Sequence, residues 1–246
     1  MSERAARECI VVTGASRGIG AAIVRALTAA GRPVACVSRS GALPADAPAA
    51  QCIALQADVT DPAQLRAVFQ RLAADGWRTA GLVNNAGVHL DGPSASFALS
   101  QWQQVMDTNA TSVLAACQAA YPQLAAGGGL IVNIGSFFDK LGVKRNLAYC
   151  ASKAAVGAIT RCLAVEWAGD GIRVIDVAPG YIETDLNAES MAPGGPLRAY
   201  LDKRIPGRRP GTAAEVGAFV AALFASGCGF LSGETIYLDG AQGIAH

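Results

Sequence analysis

Histidine is almost missing from this chain: two, His89 and His246, in 246 residues. Chemistry that pairs a histidine with a nucleophile, or sets several around zinc, has little to draw on. Charge is sparse too. Charged residues make up 16%, the net charge is +1, and no basic run is longer than a pair such as Arg208-Arg209. That balance gives no footprint for nucleic acid or an anionic membrane surface. No apolar run reaches the roughly 20 residues that cross a bilayer. The polar N-terminal stretch carries no secretory apolar core or small-residue cleavage site, so a cytoplasmic protein is expected. The seven cysteines (9, 36, 52, 117, 150, 162 and 228) are odd in number, scattered and without a C-x-x-C. They read as buried free thiols in a reducing compartment, not as a disulfide framework or a metal site. Cys150 has no suitably placed histidine to activate it and reads as a packing residue.

What is plentiful is apolar side chain, 52% of the chain, enough for a sizeable core. Short apolar runs at 9–13, 33–37, 52–55, 81–83, 130–134, 174–177 and 235–238 have the length and flanks of strands. Between them lie helical patterns: one ending at Gly31, then 61–74 with Pro62 in the first turn, 100–124 with Ser100 as cap, 147–168, and 212–225 with Thr212 as cap. Strand and helix alternate throughout. This predicts an α/β Rossmann-type doubly wound parallel sheet of about seven strands with helices on both faces. The strands are continuously apolar, as when both sheet faces are covered. No linker or repeat divides the chain, so a single dinucleotide-binding domain over 1–246 is expected. The stretch 187–210 is rich in Pro and Gly and reads as a mobile excursion, a substrate lid in which Met191, Leu197 and Tyr200 are candidate contacts.

Three places carry chemistry. The first is TGASRGIG at 13–20, a glycine turn between the first strand and the first helix. Glycines there let the backbone approach a pyrophosphate at the helix N-terminus. The same letters fit G-x-S-x-G, a hydrolase nucleophile elbow with Ser16 as nucleophile. That reading needs an acid and then a histidine downstream, which neither His89 nor His246 supplies well. The second place is the end of the second strand. An acid there would select NAD; instead the chain has Ser38 and then Arg39, with Arg17 in the glycine turn as a second cation. These favour NADP(H), with NAD(H) the alternative. Two solvated loop arginines would look the same. The third place is LAYCASKAAVGAITR at 147–161. Tyr149 and Lys153 are four apart, which stacks them on one helical face. An ammonium beside a phenol eases its ionisation from a pKa of about 10.

Taken together, TGASRGIG, Asp58, NNAG at 84–87, Asn109, Ser136, Tyr149-x-x-x-Lys153 and PGYIET at 179–184 fall in one order and spacing over nearly the whole chain. In this the chain resembles the short-chain dehydrogenase/reductase family, nearest to 3-oxoacyl-carrier-protein reductases and similar carbonyl reductases. The resemblance implies an oxidoreductase acting on CH–OH and C=O groups, a ketone or a secondary alcohol, without a metal. It implies a catalytic set of Ser136, Tyr149, Lys153 and Asn109. Tyr149 is the acid/base, Lys153 lowers its pKa and holds the nicotinamide ribose, and Ser136 bonds the reacting oxygen. Asn109 keeps a proton path open to Lys153. It assigns the cofactor to Gly14, Ser16, Arg17, Gly18, Ile19, Gly20, Ser38, Arg39, Asp58, Val59, Asn85, Ala86 and Gly87 on the adenine side. Tyr149, Lys153, Pro179, Gly180, Ile182 and Thr184 would meet the nicotinamide side. Asn84 would help shape the adenine-ribose side, or Asn84 and Asn85 could serve the turn alone.

The resemblance also implies a homotetramer or homodimer, packed through the small-residue helices 100–124 and 150–168. A small-molecule carbonyl or alcohol is the expected partner. The chain departs from carrier-protein reductases at 126–129 and at Gly169-Asp170, where basic docking residues are usual. Phe137 and Phe138 follow Ser136 and would narrow or grease the cleft. Lys140, Lys144 and Arg145 either meet an anionic tail, such as a coenzyme A phosphate, or are solvated.

Overall fold

The computed structural model describes residues 7–185, 187–192, 194–195 and 197–245. Seven parallel strands form the central sheet: β1 (Arg7–Thr13), β2 (Val34–Ser38), β3 (Cys52–Gln56), β4 (Trp77–Asn84), β5 (Gly129–Ile134), β6 (Ile172–Pro179) and β9 (Thr235–Leu238). Their order is β3-β2-β1-β4-β5-β6-β9. The order reverses between β1 and β4, which opens a crevice at the carboxyl edge. The expected seven-strand doubly wound sheet is therefore present.

Two apolar layers cover the sheet. On one face α1 (Gly18–Ala29) and α8 (Ala213–Ala225) pack on Ile10, Val12, Val83, Val132 and Ile175. On the other lie α2 (Pro62–Ala74), α4 (Ser112–Ala125) and α5 (Leu147–Glu166), over Val11, Leu82, Ile131 and Val174. Burial at this scale supplies most of the folding free energy, at roughly 25 cal/mol per Å² of apolar area. Among the described residues no helix is long and apolar enough to cross a membrane.

Local chemistry fixes the helix ends. The Asp61 carboxylate accepts from Ala63 N (2.8 Å) and Gln64 N (3.3 Å), and Pro62 opens α2. Thr212 and Glu215 cap α8 reciprocally: Thr212 N donates to Glu215 Oε2 (2.8 Å), and Glu215 N to Thr212 Oγ1 (3.2 Å). Arg209 closes the same cap, its guanidinium donating to Oε1 (2.6 Å) and Oε2 (3.0 Å) of Glu215.

Several expectations are corrected. Ser100 caps nothing; α3 (Leu99–Met106) starts after Ala98, with no side-chain cap. The single helix expected over 100–124 is interrupted by a π-helical segment, Asp107–Thr111. Strand β4 starts at Trp77, four residues earlier than the apolar run. Arg78 and Thr79 break the run in sequence, but Arg78 pairs with Glu8 of β1 and the Thr79 amide donates to Gln123 Oε1 (2.7 Å). The long helix stops at Glu166. Not every cysteine is buried: all seven are free, but Cys162 and Cys228 are exposed.

The excursion also has its own structure. It holds α6 (Ala188–Met191) and α7 (Arg198–Arg204), with Met191, Leu201 and Ile205 forming a small core. A two-stranded parallel sheet, β7 (Ile182–Glu183) with β8 (Gly211–Thr212), brackets its ends. Strands this short carry no readable alternation. Residues 193 and 196 of the expected lid, and His246, lie outside the described residues.

Candidate active site

The crevice begins at the glycine turn. Gly14 and Gly18 have φ of +63° and +56°, the left-handed region that favours glycine. A Cβ on Gly14 would stand 2.9 Å from Ala86 Cα, so this turn and the 84–87 turn touch backbone to backbone. No side chain caps α1, whose N-cap residue Arg17 is extended. The first amides of α1 are thus left for an anion. Ser16 and Ile19 are half-buried, Gly20 is buried and Arg17 is exposed.

Thr13, which the sequence reading passed over, ties the two turns together. Its Oγ1 accepts from Asn85 N (3.0 Å) and Ala86 N (3.1 Å). The Asn85 amide answers by donating to Thr13 O (3.0 Å) and Gly14 O (3.1 Å). Asn84 departs from the expectation that it shapes the ribose side. Its side chain is buried and donates to Asn133 Oδ1 (2.9 Å), and Asn133 donates on to Thr160 Oγ1 (2.8 Å). Alternation in β4 turns Asn84 inward, away from the crevice.

Ser38 is buried at the end of β2, its hydroxyl 3.3 Å from that of Ser40, and Arg39 beside it is exposed. Asp58 ends the next strand's loop. Its Oδ1 accepts from Thr60 N (2.9 Å) and Thr60 Oγ1 (2.7 Å). These bonds hold its pKa below the ordinary carboxylate value, and the nearby Arg39 charge adds to the effect. Val59 beside it is buried.

Gly87 sits against Asn109, where a Cβ would come 3.3 Å from the Asn109 carboxamide oxygen. Asn109 occupies the π-helical segment and is 1% exposed. Its Oδ1 accepts from Val88 N (2.8 Å), and its Nδ2 donates to Val88 O (2.8 Å) and Ser152 Oγ (3.1 Å). Ser152 donates to Tyr149 O (2.8 Å), so Asn109 reaches the Tyr149 backbone through one hydroxyl.

Ser136, Tyr149 and Lys153 converge. Ser136 is buried at the end of β5 in extended backbone and its Oγ accepts from Phe138 N (3.3 Å). Burial raises the Tyr149 pKa, and a hydrogen bond from the Ser136 side opposes the rise. Lys153 follows one turn later, its Nζ 5.7 Å from the Tyr149 ring centre and donating to Ile134 O (2.8 Å). Lys153 is buried, which pulls its pKa down to about 8; the charge of Asp176 resists this.

Two aromatic contacts were not read from sequence. The His89 ring meets the Tyr149 ring edge-on at 4.8 Å between centroids, and the His89 and Asn146 side chains hydrogen-bond. Phe138 approaches the same ring at 5.9 Å, and Tyr181 in turn lies 6.0 Å from the Phe138 ring.

From the other side, Gly180 packs on Asp239, and Pro179 ends β6. Thr184 stands over Gly18, close enough that a Cβ there would lie 3.7 Å from its methyl. Ile182 differs from expectation. Its side chain is buried in the α1–α8 layer.

A glycine turn on an uncapped helix at a sheet's switch point, with Tyr, Lys and Ser at the same edge, defines a dinucleotide-binding α/β oxidoreductase. A family model described as Enoyl-(Acyl carrier protein) reductase matches residues 14–241. The chain is 34% identical to 3beta-hydroxysteroid dehydrogenase 1 of Eggerthella lenta, over 94% of this chain and 92% of that protein. It is 35% identical to the 3-oxoacyl-acyl-carrier-protein reductase of Escherichia coli, over 94% and 95%. Among solved structures, a gluconate 5-dehydrogenase from Burkholderia cenocepacia, in complex with NADP and tartrate, superposes with a TM-score of 0.88. It is 30% identical and the match covers 98% and 96% of the two chains. The chain belongs to the short-chain dehydrogenase/reductase family of oxidoreductases.

Proposed function

We propose that the chain interconverts a ketone and a secondary alcohol with NADP(H), using Tyr149 as the acid/base. The observation that carries this is the meeting of Tyr149, Ser136 and Lys153 beside the glycine turn. The bound nicotinamide supplies or accepts the hydride. Tyr149 hands a proton to the carbonyl oxygen in reduction and takes it back in oxidation. Ser136 donates a hydrogen bond to the same oxygen as negative charge builds there. The ammonium of Lys153 stabilises the Tyr149 phenolate and bonds the nicotinamide ribose.

The crevice fits the dinucleotide. The α1 amides and Gly14 to Gly20 would cradle the pyrophosphate, Asp58 and Val59 the adenine, and Ser38, Arg39 and Arg17 a 2′-phosphate. No acid ends β2, which is what favours NADP over NAD. The NADP complex of the gluconate 5-dehydrogenase supports the same reading.

Phe138 and His89 put aromatic edges beside Tyr149, with Tyr181 packed behind Phe138. They favour a substrate with a flat or apolar body next to its carbonyl. The segment 187–210 is the lid of this site, and the chain works as one domain in a homodimer or homotetramer. Replacing Tyr149 with Phe should cut turnover at least a thousandfold and leave the NADPH Kd within twofold. Turnover near the wild-type rate would reject the assignment.

A further inference from the structure

Strand β6 carries a carboxylate between two apolar residues, opposite Asn133 of β5 and Thr235 of β9. Asp176 is 0% exposed, between Ile175 and Val177 on the strand next to the β9 edge. Its Oδ2 accepts from Thr235 Oγ1 (3.2 Å), and its Oδ1 has no partner among the described residues. A side chain at Gly135 would collide with both oxygens. The Gly135 amide is close by but donates to Val177 O (2.8 Å). Gly157, one turn after Lys153, leaves room on the other side, where a Cβ would lie 3.9 Å from Oδ2. Lys153 itself holds Ile134 O, the residue before Gly135. The ammonium and the carboxylate therefore flank Ile134 and Gly135, at the end of β5, without direct ion-pair contact.

An isolated buried carboxylate is costly and is retained where a charge answers it. The ionisable groups facing Asp176 come from three elements. Lys153 and Arg161 belong to α5, Asp139 to the loop after β5, and Tyr237 to β9. Tyr237 donates to both oxygens of Asp139 (3.1 and 3.0 Å), and Lys140 covers the Tyr237 ring. Lys153 is the cation that acts directly on Asp176.

We infer that Asp176 is the counter-ion that keeps Lys153 protonated inside the site, and so is a positioning residue for proton transfer. It touches neither substrate nor cofactor. It acts through Lys153: a buried lysine tends to lose its proton, and without it the amine cannot stabilise the Tyr149 phenolate. Burial and Asp139 favour the protonated carboxyl of Asp176, so the Lys153 charge also keeps Asp176 ionised. The coupling is reciprocal. This inference rests on Lys153 serving Tyr149 as described above.

The test reads Lys153 itself. The chain has four lysines, 140, 144, 153 and 203. Carbon-13 lysine labelling resolves them by NMR, and Lys153 is identified by its loss in Lys153→Met. In the free enzyme the Lys153 midpoint should lie below the other three. In Asp176→Asn it should fall by about one pH unit or more, as expected for losing a nearby opposite charge, with the others unmoved. The alkaline limb of the kcat profile should move down by the same amount; a merely structural loss would lower kcat at every pH alike. An unmoved Lys153 midpoint overturns the inference. Should Asp176→Asn not fold, carbon-13 aspartate labelling of Lys153→Met gives the reciprocal reading: the Asp176 midpoint rises, and constancy overturns the inference. Tyr149→Phe separates the two ideas. If it turns over normally, the acid/base reading fails whatever Lys153 does. If it is inactive and the Lys153 midpoint is unmoved, only the role of Asp176 fails.

Discussion

His89 and Tyr149 meet edge to face, ring centroids 4.8 Å apart and planes inclined at 70°. His89 comes from the loop after β4 and Tyr149 from the first turn of α5, so the contact ties the phenol to a second element. Bonding to Asn146 anchors His89 at the residue just before α5.

Contacts of this kind are worth about 0.5–1.5 kcal/mol beyond their buried area. His89→Ala should therefore lower kcat by about threefold to tenfold and leave the NADPH Kd unchanged. Steady-state kinetics beside a fluorescence titration of NADPH checks both. A loss confined to cofactor binding would mean that His89 serves the dinucleotide, not Tyr149.

Arg39 is exposed, and its charge reaches Asp58 across the crevice. If it holds a 2′-phosphate, Arg39→Ala removes a charged hydrogen bond worth about 1.5–3 kcal/mol. That is about tenfold to a hundredfold in the Kd of NADPH. The Kd of NADH should stay within twofold. Equal losses for both cofactors would refute a role in choosing between them.

Glu215 joins the excursion to α8 through Thr212 and Arg209. Hydrogen bonds from Arg209, then from Thr212, hold its pKa down at about 2, from an ordinary 4.5. A depressed carboxylate adds stability that is present above 4.5 and lost as pH falls toward about 2. The Arg209 and Glu215 side chains are 58% and 45% exposed, so solvent screening leaves the ion pair itself little weight. Glu215→Gln should cost about 1 kcal/mol at pH 7, mostly from the cap. Urea unfolding across pH 7 to 2.5 tests this, because the gap to wild type should close in the acid range. A gap constant with pH would mean that the Glu215 charge contributes nothing.

Tyr149, Lys153 and the glycine turn were legible because their spacing follows from strand and helix geometry, whereas Ser136 was named only through the family resemblance. Two residues one helical turn apart must share a face, and a turn with glycines where strand meets helix has few other uses. Asp176 was hidden by the strength of its surroundings: three apolar residues made 174–177 read as core, and one carboxylate did not alter that reading. His89 and Thr13 act across distant loops, and no local pattern announces such contacts. For Asn84 two readings stayed open because its direction depends on strand alternation, which the NNAG letters do not convey. The break at Asp107–Thr111 was unreadable because its residues suit an α-helix equally well; tertiary bonds from Asn109 to Val88 and Ser152 occupy the break.

The pairing of β7 with β8 has an evolutionary consequence. It brings the two ends of the excursion side by side, so the chain between them is a closed loop hung on a fixed clasp. Lengthening such a loop is cheap, about 0.6 kcal/mol for each doubling. The segment between Glu183 and Gly211 can therefore be exchanged, extended or shortened while the floor carrying Ser136, Tyr149 and Lys153 keeps its geometry. A single rigid floor can then carry many different panels.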